Sequence, residues 1–378
     1  MQIKKMPDPV LVTTSQGVRA LAEKFSRQPL LAVDTEANSL YAYHEQVCLI
    51  QFSIPGEDYI VDPLVIDDIS PLGDVFANPE IEKIFHAAEY DLIVLQRDFG
   101  YTFANLFDTM VAARILGWKA VGLSSILKSH FGINADKKYQ RADWGRRPLS
   151  PEMLKYAQLD THYLIPLRAT LKDELMATDR WELAQEDFAR LCQVDPASQI
   201  HKTKSCWQIN GIHGLEPQQV AVLQELCRFR DHKAKALNRP LFKVIGDSAL
   251  LNIAAACPRN LAELERVPGI SAKQTRWLGN QILSAVHRGL KARPPAPPRR
   301  QHYSASYLER VDRLRQWRKT AGRAMGVESD VVLPKDLLYE LARKNPQSPQ
   351  ELAEVLHTVP WRLERYGDEI LKVLRAAD

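Results

Sequence analysis

Leu30-Leu31-Ala32-Val33-Asp34-Thr35-Glu36 decides the reading of this chain. A short apolar run of this kind is a buried strand. Its side chains alternate between two faces, so Asp34 and Glu36 leave its carboxyl end on the same side. Two carboxylates beside a core repel each other and lose hydration unless a cation holds them. A hard divalent metal, which takes oxygen ligands, is the simplest such cation. Taken alone, the pair would read as the polar end of a strand.

Working outward, Lys83-Ile84-Phe85-His86-Ala87-Ala88-Glu89-Tyr90-Asp91-Leu92 reads as a strand turning into a helix, with Asp91 near the helix start. Asp91 alone could be an acid favoured by the helix dipole, and Glu89 is a rival ligand. His86 reads as structural. Asp108-Thr109 reads as the cap of the next helix. Ser150-Pro151-Glu152 opens a further helix. Tyr156 and Asp160 follow on it, four apart and therefore on one face. Singly they would be a packed ring and a surface acid. Together, carboxylates at 34, 36, 91 and 160 can hold two magnesium-like ions about 3.5–4 Å apart, the geometry of in-line phosphoryl displacement.

The chain has 378 residues, which predicts two or three domains. No stretch approaches the roughly 18 apolar residues of a membrane helix. The start, Met1-Gln2-Ile3-Lys4-Lys5, has no apolar signal core, and the five cysteines (48, 192, 206, 227, 257) are scattered. Reduced thiols, no zinc and a cytoplasmic protein without a membrane partner are expected. Residues 1–200 hold 20 Lys+Arg against 28 Asp+Glu, and residues 201–378 hold 30 against 18. The halves carry −8 and +12, which suggests a polyanion gripped by one part and processed by the other. A solvated basic helical surface is the alternative.

Strands are expected over 30–35, 47–54, 58–62 and 83–86, the first three as an antiparallel meander. Helices are expected over 15–26, 90–99, 109–117, 123–131 and 151–176. From about 210 the pattern is helical and repeats itself. Leu226-Cys227-Arg228-Phe229-Arg230 matches Leu314-Arg315-Gln316-Trp317-Arg318 at an offset of 88, and Val267-Pro268 matches Val359-Pro360. Between the copies runs Lys291-Ala292-Arg293-Pro294-Pro295-Ala296-Pro297-Pro298-Arg299-Arg300, an extended basic linker. Arg228, Arg230, Lys233 and Lys235 form a basic cluster on one helix, and Arg310, Arg313, Arg315, Arg318 and Lys319 occupy the matching helix of the other copy, which favours an RNA-facing surface.

Asp-x-Glu, then Asp91, then Tyr-x-x-x-Asp resembles the three motifs of the DEDD exonuclease superfamily in its tyrosine-bearing branch, and with the downstream repeats most resembles the ribonuclease D family. The repeats resemble HRDC domains. The resemblance runs from about Pro29 to the end of the chain. It implies an α/β ribonuclease H-like (DnaQ-like) exonuclease domain over 1–205, HRDC bundles over 210–291 and 303–378, and a linker over 292–302. It also implies a 3′→5′ exoribonuclease with two divalent ions, Mg2+ or Mn2+, acting on RNA with a free 3′ end such as tRNA precursors.

In that scheme Asp34 bridges both ions, Glu36 and Asp160 complete the first shell, Asp91 holds the second ion, and Tyr156 orients the nucleophile. Thr35 and Leu40 lie near the 3′-terminal nucleotide. The segment Lys137-Lys138-Tyr139-Gln140-Arg141-Ala142-Asp143-Trp144-Gly145-Arg146-Arg147-Pro148 resembles the family's loop before the third motif. Arg141 and Arg147 are candidate phosphate contacts there, and Trp144 is expected to pack beneath. A DNA exonuclease and a non-catalytic RNA-binding scaffold are the competing readings. A monomer is the default, since no long heptad pattern is present.

Overall fold

The computed structural model describes residues 6–135, 138–193, 205–298 and 302–376. Six strands, β1 (Val10–Val12), β2 (Leu30–Ala37), β3 (Val47–Ile54), β4 (Glu57–Val61), β5 (Glu82–Phe85) and β6 (Leu106–Asp108), form one sheet in the order β1-β4-β3-β2-β5-β6. The hairpin β3–β4 is antiparallel, whereas β1 runs parallel to β4, β2 to β5, and β5 to β6. The expected strands are present. Two others, β1 and β6, have three residues each, too few for an alternation to show.

Helices α1 (Ser15–Phe25), α2 (Pro71–Ala77), α3 (Glu89–Phe99), α4 (Thr109–Ile115), α5 (Leu123–Phe131), α6 (Pro151–His162), α7 (Leu164–Ala177) and α8 (Trp181–Leu191) accompany the sheet. The single helix expected over 151–176 is two, divided at Tyr163, whose backbone departs from helical values. A Pro follows at 166, and a proline in a helical pattern interrupts it close by. One core lies on the Phe25, Phe52 and Phe76 face of the sheet. Another, around Phe107, Leu167 and Phe188, covers the β5–β6 side.

Residues 205–298 fold around α9 (Pro217–Ala236), α10 (Leu241–Val244), α11 (Asp247–Ala256), α12 (Leu261–Glu265) and α13 (Ala272–Lys291). The second copy comprises α14 (Ala305–Met325), α15 (Ser329–Val332), α16 (Lys335–Lys344), α17 (Pro349–Leu356) and α18 (Pro360–Arg375). Each bundle has its own apolar core. The chain falls into two compact units. One contains 1–36, 47–196 and 302–378; the other contains 37–46 and 197–301. The second bundle therefore belongs with the sheet, and the segment leaving β2 belongs with the first bundle.

Both associations have identifiable chemistry. Tyr43 donates its hydroxyl to Asp231 at 2.8 Å, and Asn238 Oδ1 accepts the backbone amides of Tyr43 and His44. In the other unit, Arg362 on α18 is fully buried and pairs with Glu186 at 3.0 Å and Asp187 at 2.9 Å on α8. Its remaining N–H groups go to the carbonyls of Val331 and Val332. Gly117 approaches Gly326 so closely that a Cβ there would lie 2.4 Å from the Gly326 carbonyl oxygen, and its φ of +80° also calls for glycine.

Two of the recurring arginines, Arg230 and Arg318, are internal ties, whereas Arg228, Arg313 and Arg315 stay at least partly exposed beside local partners. Arg230 is only 2% exposed; it pairs with Asp247 at 2.6 Å and donates to the Ile245 carbonyl at 3.0 Å. Its counterpart Arg318 donates to the Leu333 carbonyl at 2.9 Å, the matching position of the other copy. Arg228 pairs with Glu225, Arg310 donates to the Ala342 carbonyl, Arg313 pairs with Glu309, and Arg315 meets Asp312 and Tyr339. Only Lys235 and Lys319 stand exposed without such ties among the described residues. Arg299 and Arg300 of the linker lie outside the described residues, as does Lys137.

Candidate active site

The site forms where β2 ends. Asp34, Glu36 and Asp160 each offer a carboxylate oxygen within 4.8 Å of the others, Asp160 arriving from α6. Among the described residues no Lys or Arg pairs with any of the three. Burial pushes Asp34 well above the usual carboxylate range, with the Asp160 charge adding to it. Glu36 is pushed up to about 10, first by burial and then by Asp34, Asp160 and Asp91. Asp160 rises to about 7 through burial and the Asp91 charge. These are the shifts of acids assembled for a cation that the chain does not supply.

Asp91 stands outside that trio. It is buried on the first turn of α3, raised by burial and by the Asp34 charge, and accepts a hydrogen bond from the Thr35 hydroxyl. The structure thus gives the Thr35 side chain to Asp91. Leu40 is 40% exposed and lies in the 37–46 segment that packs with the first bundle.

Tyr156 shares α6 with Asp160 and sits among aromatic rings: Tyr139 edge-on at 5.9 Å and Trp144 tilted at 6.0 Å. Trp144 is 1% exposed, so it packs beneath as expected. Arg141 is exposed on the same loop. Arg147 is a correction. Its Nε and Nη2 grip Asp62, both at 2.6 Å, and its other N–H groups reach the carbonyls of Cys48, Trp144 and Arg146. All five guanidinium donors are engaged by the fold, leaving none for a phosphate.

Sequence reasoning missed two supports. Asp58 on β4 is buried and accepts from Ser53 at 2.6 Å, Gln158 at 2.5 Å and His162 at 2.7 Å, fastening α6 to the sheet on either side of Asp160. The hydrogen bonds hold Asp58 below the usual carboxylate range although burial opposes them. An acid inside the run Asp58-Tyr59-Ile60-Val61 was the available signal. The second is Asp108, whose carboxylate caps α4 through Met110 and Val111 as expected but also accepts from Ala87 and Ala88. Ala87 has φ of +65°, a conformation costing an L-residue about 1–2 kcal/mol.

Half-buried acids from β2 and α6, with buried Asp91 from α3, converging at one end of a mixed sheet define the metal-dependent 3′-5′ exonuclease class. A 3′-5′ exonuclease family model matches residues 9–176, and an HRDC domain model matches 219–286 and 308–374. The chain is 33% identical over 298 residues to ribonuclease D of Gluconacetobacter diazotrophicus, covering 78% of this chain and 75% of that one. It is 29% identical over 376 residues to ribonuclease D of Jannaschia sp., covering 97% and 95%. Its fold matches Escherichia coli RNase D, an exoribonuclease involved in structured RNA processing, with a TM-score of 0.68 and 25% identity over 95% of this chain and 100% of that chain. The chain belongs to the ribonuclease D family. It is a 3′→5′ exoribonuclease with a ribonuclease H-like sheet domain and HRDC helical bundles, and no described helix is long and apolar enough to cross a membrane.

Proposed function

We infer that Asp34, Glu36 and Asp160 hold one divalent ion and that Asp34 and Asp91 hold a second, magnesium or manganese serving in either place. The acid trio carries this reading: three oxygens within 4.8 Å and no side-chain cation among the described residues to relieve them. Bound there, the ions supply an acidified nucleophile and positive charge at the departing 3′ oxygen.

The chain's own residues do the rest. Tyr156, steadied by Tyr139 and Trp144, orients the attacking water; a tyrosine is a donor at neutral pH, so it positions rather than deprotonates. Thr35 aims the Asp91 carboxylate. Arg141, exposed on the loop before α6, meets a substrate phosphate. The products are nucleoside 5′-monophosphates. The substrate is RNA with a folded body and a free 3′ tail, of which a tRNA precursor is the type, and the enzyme acts as a cytoplasmic monomer.

The test is a time course on a 5′-labelled tRNA precursor carrying a short 3′ trailer, with magnesium, manganese and EDTA arms and a matched DNA strand. A metal-dependent ladder shortening from the 3′ end and stalling near the stem is expected for RNA. Preferential loss of the DNA, or cleavage that survives EDTA, would overturn the substrate or the metal assignment respectively. A sedimentation profile of the same sample checks the monomer.

A further inference from the structure

We propose that Asp108 is a positioning residue for Asp91, acting through the left-handed turn at Ala87 and Ala88. Capping α4 needs only the amides of Met110 and Val111, which Asp108 Oδ1 accepts at 2.8 and 3.0 Å. The same oxygen also accepts from Ala87 at 3.1 Å, and Oδ2 accepts from Ala88 at 2.7 Å. Four amides from two separate chain turns thus converge on one carboxylate that is 1% exposed.

The second pair explains a local anomaly. Ala87 is held at φ +65° without being glycine, and Ala88, the N-cap of α3, offers the helix no side-chain cap. Orphan amides at a helix start need an acceptor, and here it comes from a residue 20 positions further along the chain. The sheet puts that acceptor in place, since Phe85 and Asp108 are register partners in β5 and β6. Thr109 reinforces the link by donating to the Phe85 carbonyl at 3.0 Å while contacting His86 Nδ1 at 2.9 Å. Strained backbone persists only where its surroundings over-determine it. Asp91 is three residues past Ala88, so the angle at which α3 leaves this turn sets where its carboxylate stands.

The inference rests on Asp91 being an ion ligand, and the experiment separates the two. Asp108→Ser keeps a hydroxyl that caps α4 but is too short to reach Ala87 and Ala88. On a short oligoribonucleotide its kcat should fall at least tenfold, with KM changed less than twofold, and the manganese Kd of the enzyme without RNA, read by titration calorimetry, should rise severalfold. Adding Ala87→Gly, which makes the left-handed turn intrinsically accessible, should recover a substantial part of that kcat. A folded Asp108→Ser enzyme with unchanged kcat and manganese Kd, or a double variant with no recovery, overturns the proposal. If Asp108→Ser does not fold, Ala87→Val decides: it strains the same turn with the α4 cap intact, and undiminished kcat would sink the idea. Asp91→Ala is the reference. Activity surviving in that variant defeats the ion-ligand reading itself, whereas an inert Asp91→Ala beside a normal Asp108→Ser defeats only the positioning role.

Discussion

Two places in this molecule bury clustered acids, and they treat them in opposite ways. At the joint between α8 and α18, Glu186 and Asp187 receive the fully buried guanidinium of Arg362, and Glu186 also accepts the Trp361 amide. At the end of β2, Asp34, Glu36 and Asp160 gather within 4.8 Å and receive no arginine or lysine among the described residues. Burial raises Glu186 too, but Arg362 works against it, whereas every neighbour of Glu36 pushes the same way. A chain that can furnish its own counter-ion does so where the need is structural. Where it withholds one, the vacancy of charge is what the site offers to a metal.

The comparison breaks most visibly at the site. Asp34→Ala should lower turnover by roughly 10³-fold or more, because it removes a carboxylate of the acid trio proposed to hold the metal. Oligoribonucleotide binding should change little, and a single-turnover assay with a parallel binding titration checks both. Retained turnover would place the ions elsewhere.

At the joint, Arg362→Met should destabilise the folded enzyme by about 3–5 kcal/mol, the usual consequence of stranding a buried charge partner. Denaturant unfolding measures it, and kcat of the molecules that remain folded should be near that of the parent. Deleting 302–378 is a harsher version of this cut. It strips Arg362 and the covering of α8 as well as any RNA grip, so lost activity on folded RNA must be compared with lost stability.

The pH response sharpens the contrast. In metal-free enzyme the raised carboxylates bind protons more tightly in the folded state. Their contribution to stability is complete below the unfolded carboxylate range, near pH 4, and is lost as pH rises through about 7 for Asp160 and about 10 for Glu36. The rise in melting temperature on adding manganese should therefore be larger at pH 8.5 than at pH 6. Equal rises at both would mean the acids are not what the ion meets.

The smallest effect is Glu36→Gln, which should stabilise metal-free enzyme by about 1 kcal/mol at pH 8, because the carboxyl it replaces must take up a proton on folding at that pH, and should abolish the manganese gain. Calorimetry with and without EDTA shows both.

The acid cluster was legible in the sequence only jointly: Asp34 and Glu36 alone read as a polar strand end, and the resemblance to the exonuclease motifs joined them to Asp91 and Asp160. Spacing placed Tyr156 and Asp160 on one helical face. What failed to show was everything that depends on long-range satisfaction of polar groups. Asp108 reads as a local cap because its other two amides lie 20 and 21 residues away. Arg230 and Arg318 of the repeat read as a surface because recurrence looks the same whether a residue recurs for RNA or for a neighbouring carbonyl. Arg147 is interleaved with aromatics as an RNA contact would be, yet its partners at Cys48 and Asp62 are far back in the chain. Arg362 has no arginine at the matching place in the first copy, where Ile270 stands, so the repeat itself hid the joint.

That joint also sets a clock for synthesis. Asp187 is translated 175 residues before the arginine it pairs with. At elongation rates of 5–20 residues per second, roughly 9–35 s separate the synthesis of α8 from that of its partner. During that interval Glu186 and Asp187 are without the guanidinium that neutralises them in the finished chain.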